Sequence, residues 1–300
     1  MINKVKRWKR KWREILVSII SYVGIFWLFV EIASYSTDGK IDVYLKRIDF
    51  FVAIFLFILI IAFLINRPKR CFGYTLRGRD SYIEIRVGDA FENKGALVVP
   101  VNNYFDMSLG GNVVKANSIQ NQLIKKYYLG KAEHLETDIA KKIASGKKYE
   151  IGKTVEIEQN GKKFYLVVNT LRQKNNHVKS EIDDFIQTLN GIWQYIAMES
   201  SRDNVITIPL INTQHGRDSY LTRAGSIKEI IASYVEMSKN LNICEKLIIS
   251  IHPNDLERGN IDLDEIDDYL KFSCNHYRQL TMKEKIEDGE KISKIVKIDN

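Results

Sequence analysis

Two apolar blocks, Ile15–Tyr35 (ILVSIISYVGIFWLFVEIASY) and Ile48–Ile65 (IDFFVAIFLFILIIAFLI), limit what the first quarter of this chain can become. Each approaches the roughly 20 residues that a helix needs to cross about 30 Å of hydrocarbon. From Phe50 to Ile65 no charge, proline or glycine intervenes. A helix buried in a soluble core keeps a polar stripe, and these blocks have none. A cleaved signal peptide would end in a small-residue cleavage site, with no second span so soon after it. The mean hydropathy of −0.21 over 300 residues hides the blocks by averaging them with a charged remainder. The reading is an integral membrane hairpin, its helices at about 15–35 and 48–66, behind a basic arm of residues 1–13.

Lys and Arg near the span ends set the orientation. Lys4, Lys6, Arg7, Lys9, Arg10, Lys11 and Arg13 precede the first span, and Arg67, Lys69 and Arg70 follow the second. In the connecting loop Lys40, Lys46 and Arg47 are offset by Asp38, Asp42 and Asp49. Both termini are therefore expected in the cytoplasm, with the protein multi-pass in the cell (inner) membrane. The formal net charge of +8 and the pI near 9.1 invite a nucleic-acid reading. Much of that charge lies beside the spans, where anionic membrane lipid attracts it, and Trp8 and Trp12 interleave with the arm as interface anchors. Nucleic acid is not the expected partner.

Glu31 is the ionisable residue within a span, where a carboxylate costs roughly 2–3 kcal/mol at the bilayer centre. It lies about a turn from the outer end, within reach of headgroups. Cys71, Cys244 and Cys274 have no paired spacing, and a cytosolic domain keeps thiols reduced. Cys274 and His276 lack the second pair that a zinc site requires, so no metal is expected.

Residues 67–80 (RPKRCFGYTLRGRD) are basic and carry Pro68, Gly73 and Gly78, which reads as a juxtamembrane linker. Beyond it strands and helices alternate. Tyr82–Val87 alternates in polarity. Ala96–Val101, Asn204–Pro209 and Lys246–His252 are short apolar runs typical of strands buried on both faces. Asn160-Gly161 between Thr154–Glu158 and Lys163–Asn169 predicts a hairpin. Ser118–Tyr128, Ser180–Glu199, Ser226–Lys239 and Asp262–Phe272 have helical spacing. The alternation predicts an α/β domain with a mixed central sheet and helices on both faces, over residues 81–277 and followed by a charged segment, 278–300.

Ligands of such folds bind outside the carboxyl ends of the strands. One strand leads into Asn102-Asn103-Tyr104-Phe105-Asp106-Met107-Ser108-Leu109-Gly110-Gly111-Asn112, another into Leu210-Ile211-Asn212-Thr213-Gln214-His215-Gly216-Arg217. Gly, Asn, Ser and Thr expose backbone N–H groups to phosphate oxygens. Gly88-Asp89 adds a carboxylate able to accept from an adenine amine. Such loops also serve as plain turns. Together they describe a pocket for a nucleotide diphosphate, without a Walker lysine motif or GxGxxG.

Val87-Gly88-Asp89-Ala90, then Ala96–Asn103, then the two glycine-bearing loops resemble the macro domain, an ADP-ribose-binding module, over residues 80–277. The resemblance implies a three-layer α/β/α fold. It also implies that Asp89 holds adenine and Asn103 the distal ribose, while Gly110, Gly111 and Asn112 with Thr213, Gln214, His215 and Gly216 cradle the diphosphate. The stretch Pro100–Asp106 departs from the family's Asn-Ala-Ala-Asn. Fused behind two membrane helices, the domain is similar to the transmembrane-macro effectors of Thoeris anti-phage systems. That likeness implies a TIR-domain enzyme as functional partner and an ADP-ribose-like NAD-derived nucleotide as ligand. A single hairpin is too thin to enclose an aqueous path, so a homo-oligomer is expected.

Hydrolytic macro domains follow their glycines with Val-Asp-Gly, whereas here Asn112-Val113-Val114-Lys115 holds no carboxylate, although Asp106 is near. A site without a positioned acid or base binds without turnover, so no catalytic residue and no enzymatic activity are expected. Lys115 and Arg217 suit an anionic ligand. His215, His177 and His252 read as polar loop residues, His252 ending its strand. The alternative is a membrane-tethered ADP-ribosyl hydrolase or deacylase that uses the spans as anchors. A further one is a scaffold binding RNA or poly(ADP-ribose).

Overall fold

The computed structural model describes residues 2–36, 48–66, 69–107, 118–129, 132–144, 146–172, 178–179, 182–198, 204–211, 222–259 and 261–278. They divide into two compact units that meet between Lys69 and Arg70.

The first unit is helical: α1 spans Ile2–Ser36 and α2 spans Ile48–Ile65. Among the described residues one helix, Trp12–Ser36, is long and apolar enough to cross a membrane. Its 25 residues cover about 37 Å at ~1.5 Å each. Almost none of it is buried, which separates it from a soluble core helix. The described apolar stretch of α2, Val52–Ile65, is shorter. Ile15 of α1 and Ile58 and Ala62 of α2 are buried, and Asn66, just past α2, donates through Nδ2 to Ser18 Oγ of α1 at 3.1 Å. The same amide reaches the Ala62 carbonyl at 2.8 Å. An amide in apolar surroundings is stable only with such partners.

In the second unit the strands are β1 Cys71–Thr75, β2 Tyr82–Val87, β3 Ala96–Asn102, β4 Thr154–Gln159, β5 Lys162–Arg172, β6 Val178–Lys179, β7 Val205–Pro209 and β8 Lys246–Ile251. The helices are α3 Ile119–Tyr127, α4 Ala132–Ala140, α5 Ile182–Met198, α6 Arg223–Ser238, α7 Pro253–Arg258 and α8 Leu263–Asn275. The sheet order is β1-β2-β8-β7-β3-β5-β4, with β6 pairing β5. The five strands from β2 to β5 are mutually parallel, and β1 and β4 close the edges antiparallel.

Strand β3 shows why its sequence is apolar throughout. Leu97, Val99 and Val101 face one core, with Leu123 and Ile124 of α3 and Leu135 of α4. Ala96 and Val98 face the other, built on α5, α6 and α8 around Trp193 and Tyr234. Helices on both faces of a mixed sheet match the expected three-layer arrangement. At the β4–β5 hairpin Gln159 pairs Lys162, and Asn160 and Gly161 have φ of 53° and 70°. This is the two-residue turn that Asn-Gly favours.

The stretch 67–80 corrects one expectation. Instead of a linker throughout, its residues 71–75 form edge strand β1, paired in register with β2 from Cys71↔Arg86 to Thr75↔Tyr82. Phe72 and Leu76 are buried in the core, and Tyr74 Oη donates to Asp267 of α8 at 2.8 Å. A five-residue run with a central glycine gives a weak strand signal. Cys71 is exposed, Cys244 and Cys274 are buried, and none of the three forms a disulfide.

Candidate functional site

Because β2, β8, β7, β3 and β5 are parallel, their carboxyl ends share one edge of the sheet. Asp89 lies beyond the end of β2 and Asn103 beyond the end of β3, with β8 and β7 between them. Three strand steps of about 4.8 Å each separate β2 from β3 where the ladder is paired, and β3 meets β7 at Ala96 and Leu97, the opposite end of the strand from Asn103. Gly110, Gly111, Asn112, Thr213, Gln214, His215 and Gly216 lie outside the described residues, as do Lys115, His177 and Arg217.

Asn103 is fully buried. Its N–H donates to Thr170 O of β5 at 3.1 Å and its carbonyl accepts from Tyr149 N at 2.8 Å, which pins the strand end to its neighbours. Asn102 shapes the turn that follows. Its Oδ1 accepts from Tyr104 N at 3.0 Å and Asp106 N at 3.1 Å, and Phe105 takes φ 52°. Gln120 at the start of α3 donates through Nε2 to the Asp106 carbonyl at 2.6 Å. The Asn102 side chain thus supplies the acceptor that closes this turn.

Asp89 follows Gly88, whose N–H donates to Ile251 O of β8 at 3.0 Å. The Asp89 carboxylate caps a short 3₁₀ turn, Ala90–Glu92, with Oδ1 accepting from Phe91 N at 2.9 Å. Its Oδ2 meets Lys126 Nζ of α3 at 2.5 Å. Partial burial pushes the carboxyl upward, but Lys126, the Phe91 N–H and the field of His252 outweigh it and hold Asp89 below the ordinary carboxylate range. The aspartate is therefore ionised at neutral pH. His252 is the N-cap of α7, its Nδ1 accepting from Asn254 N at 3.2 Å, and so ends β8 as expected.

A polar brace holds the segment that carries Asp89. Lys162 Nζ donates to the carbonyls of Phe91 at 2.7 Å and Asn93 at 2.8 Å, and burial lowers the pKa of its ammonium. Arg86 Nη1 donates to Asn93 Oδ1 at 2.8 Å while its Nε reaches Glu84 Oε1 at 2.6 Å. Glu84, buried in β2, also meets Lys246 of β8 at 2.7 Å. Gly95, with φ 83°, turns the chain into β3 where a Cβ would run into the Val205 carbonyl.

Burial raises the Glu84 pKa, yet its bonds to Lys246, to the Cys71 thiol and to Arg86 bring the net shift below the ordinary value. A depressed folded pKa stabilises the protein above the unfolded value, and that stability is lost as pH falls through the folded one. Glu84→Gln is thus expected to cost about 1–3 kcal/mol at neutral pH. The difference from wild type should shrink on acidification below the ordinary carboxylate range. Thermal melts of both proteins across that pH range check the sign, and a gap that widens in acid would contradict it.

Lys126, Asn102 and Lys162 were not legible as site residues. Nothing in Lys125-Lys126 tells which lysine turns toward Asp89 until α3 is placed against β3.

Residues 83–252 match the family described as "Thoeris protein ThsA, Macro domain", which is more than half of the chain. The chain belongs to the ThsA macro-domain family. The Thoeris protein ThsA of Bacillus amyloliquefaciens (strain Y2) is 25% identical over 223 residues, covering 68% of this chain and 70% of that protein. Among solved structures, the Oceanobacillus iheyensis macrodomain with ADP aligns at 10% identity and a TM-score of 0.45, covering 66% of this chain and 97% of that one. The macro domain of ganglioside induced differentiation associated protein 2 aligns at 10% identity and a TM-score of 0.41, covering 59% and 81%. The ThsA macro match begins at β2 and ends just past β8, so it encloses both Asp89 and Asn103.

Proposed function

We propose that this chain is a membrane-attached receptor-effector of anti-phage defence. Its macro domain binds an ADP-ribose-like, NAD-derived nucleotide made by a TIR-domain partner. Its apolar helices carry the output into the cell membrane, with both termini cytoplasmic and several copies assembled together. The observation that carries the reading is the union, in one chain, of a ThsA macro domain with an apolar helix of membrane-spanning length. The strand edge supports the ligand class. An ionised aspartate at one end receives an adenine amine, and Asn103 at the other receives the distal ribose. The loops with Gly110, Gly111 and Asn112 and with Thr213, Gln214, His215 and Gly216 hold the diphosphate. The absence of a carboxylate in Asn112–Lys115 supports binding without turnover.

Calorimetric titration of the full chain in detergent with ADP-ribose tests this. Wild type binds and releases no product. Asp89→Ala loses a hydrogen bond to a charged group, roughly 1.5–3 kcal/mol, which is about ten- to more than a hundredfold in affinity. Asp89→Asn keeps the acceptor that caps the 3₁₀ turn and still binds more weakly, which separates charge from local folding. Turnover of ADP-ribosylated protein that Asn103→Ala abolishes would replace this reading with the hydrolase.

A further inference from the structure

The geometry points to Lys126 as a second reader of the ligand's base, which makes the site selective for adenine over hypoxanthine. This inference rests on the ADP-ribose reading above. Lys126 Nζ lies 2.5 Å from Asp89 Oδ2 and 4.7 Å from the centroid of the Phe91 ring. An ammonium has three N–H donors. One serves Asp89 and one faces the ring, an arrangement the ring's quadrupole favours, and among the described residues the third has no partner. The Lys126 side chain is 40% exposed and that of Asp89 28%, so a ligand can reach both groups of the pair.

The support of Lys126 is rigid. It sits in the last turn of α3, where the helix dipole favours a cation. The next residue, Tyr127, stacks on Phe91 with centroids 6.2 Å apart and meets Phe164 edge-on at 4.8 Å. Asp89 is fixed by its cap to Phe91 N. An acceptor and a donor are thereby held side by side.

Adenine presents the complement on its outer edge, an amine donor and a ring-nitrogen acceptor one carbon apart. Asp89 accepts from the amine while Lys126 donates to the ring nitrogen. Hypoxanthine reverses the order, with a carbonyl where adenine has its amine and an N–H where adenine has its acceptor. With ribose and diphosphate held in place, each protein group then meets its own kind. A site built to pair a polar edge rejects the analogue that leaves its groups unpaired.

The test measures affinities of the full chain in detergent for ADP-ribose and its hypoxanthine counterpart, in wild type, Lys126→Met and Lys126→Arg. Wild type is expected to prefer ADP-ribose by about tenfold or more, the scale of one lost charge-assisted bond. Lys126→Met should weaken ADP-ribose by a similar factor and leave the hypoxanthine compound nearly unchanged, so that the preference shrinks by that factor to what Asp89 alone supplies. Lys126→Arg should keep it. Equal losses for both ligands would make Lys126 a structural prop and overturn the inference. Tighter ADP-ribose binding by Lys126→Met would also overturn it, because the lysine would then be a plug on Asp89. If wild type binds both compounds equally, base selection fails and the ADP-ribose reading stands. If wild type binds neither, that reading falls and takes this one with it.

Discussion

Trp193→Ala is expected to lower the stability of the macro domain by about 3–5 kcal/mol, the cost of emptying a large buried aromatic site. Trp193 is fully buried on α5, and its ring meets Tyr234 of α6 edge-on with centroids 5.3 Å apart. Its Nε1 donates to Ser233 Oγ at 2.9 Å, so truncation also strands a mostly buried hydroxyl. Tyr234 extends the same network, bonding Ser81 Oγ at 2.7 Å and the Cys244 carbonyl at 3.1 Å. One side chain thus ties α5 to α6 and, through Tyr234, to the residues just before β2 and β8. For a domain of this size the loss corresponds to roughly 6–20 °C in melting temperature. Trp193→Phe should recover most of it, because packing carries more of the energy than the single hydrogen bond. A melting temperature unchanged by Trp193→Ala would mean that the core is not organised around this residue.

The alternation of elements was legible because the chain's periodicities are clean. β2 and its polarity alternation coincide over Tyr82–Val87, and the apolar runs at β3, β7 and β8 are continuous because both faces are covered. The Asn160-Gly161 turn was legible because few residue pairs accept two positive φ angles in succession. Strand β1 was not, since Cys71–Thr75 gains its conformation by pairing with β2 and covering Tyr82, and not from its own propensities. Within the site, Asp89 and Asn103 could be placed because each follows a recognisable strand end. The bond between Asp89 and Lys126 spans 37 residues, and only tertiary packing decides it. The glutamate–arginine–lysine brace under the Asp89 segment was hidden for the same reason: Glu84 and Arg86 look like the solvent face of an alternating strand, yet Glu84 is buried.

Deleting residues 1–69 is expected to abolish the cellular effect entirely and leave nucleotide affinity within about twofold of the full chain, a change far below the tenfold that one lost bond produces. The cut falls where the two units meet, so the sheet and both of its cores begin intact at Arg70. On the proposed reading the nucleotide acts on the membrane only through a difference in its affinity for two states of the protein. A single pair of helices is too thin to enclose an aqueous path, so the second state must gather several copies. Macro-domain self-association on ligand binding would supply that state and bring the apolar helices together. The readout is membrane potential in cells that make the TIR-domain partner, during phage infection. The full chain should depolarise them and the 70–300 fragment should not, while the fragment still titrates with ADP-ribose. An Asp89→Ala full chain should fail for the opposite reason, with intact helices and lost affinity. Depolarisation by the fragment alone would sink the membrane output, because among the described residues of the fragment no helix is long and apolar enough to cross a membrane.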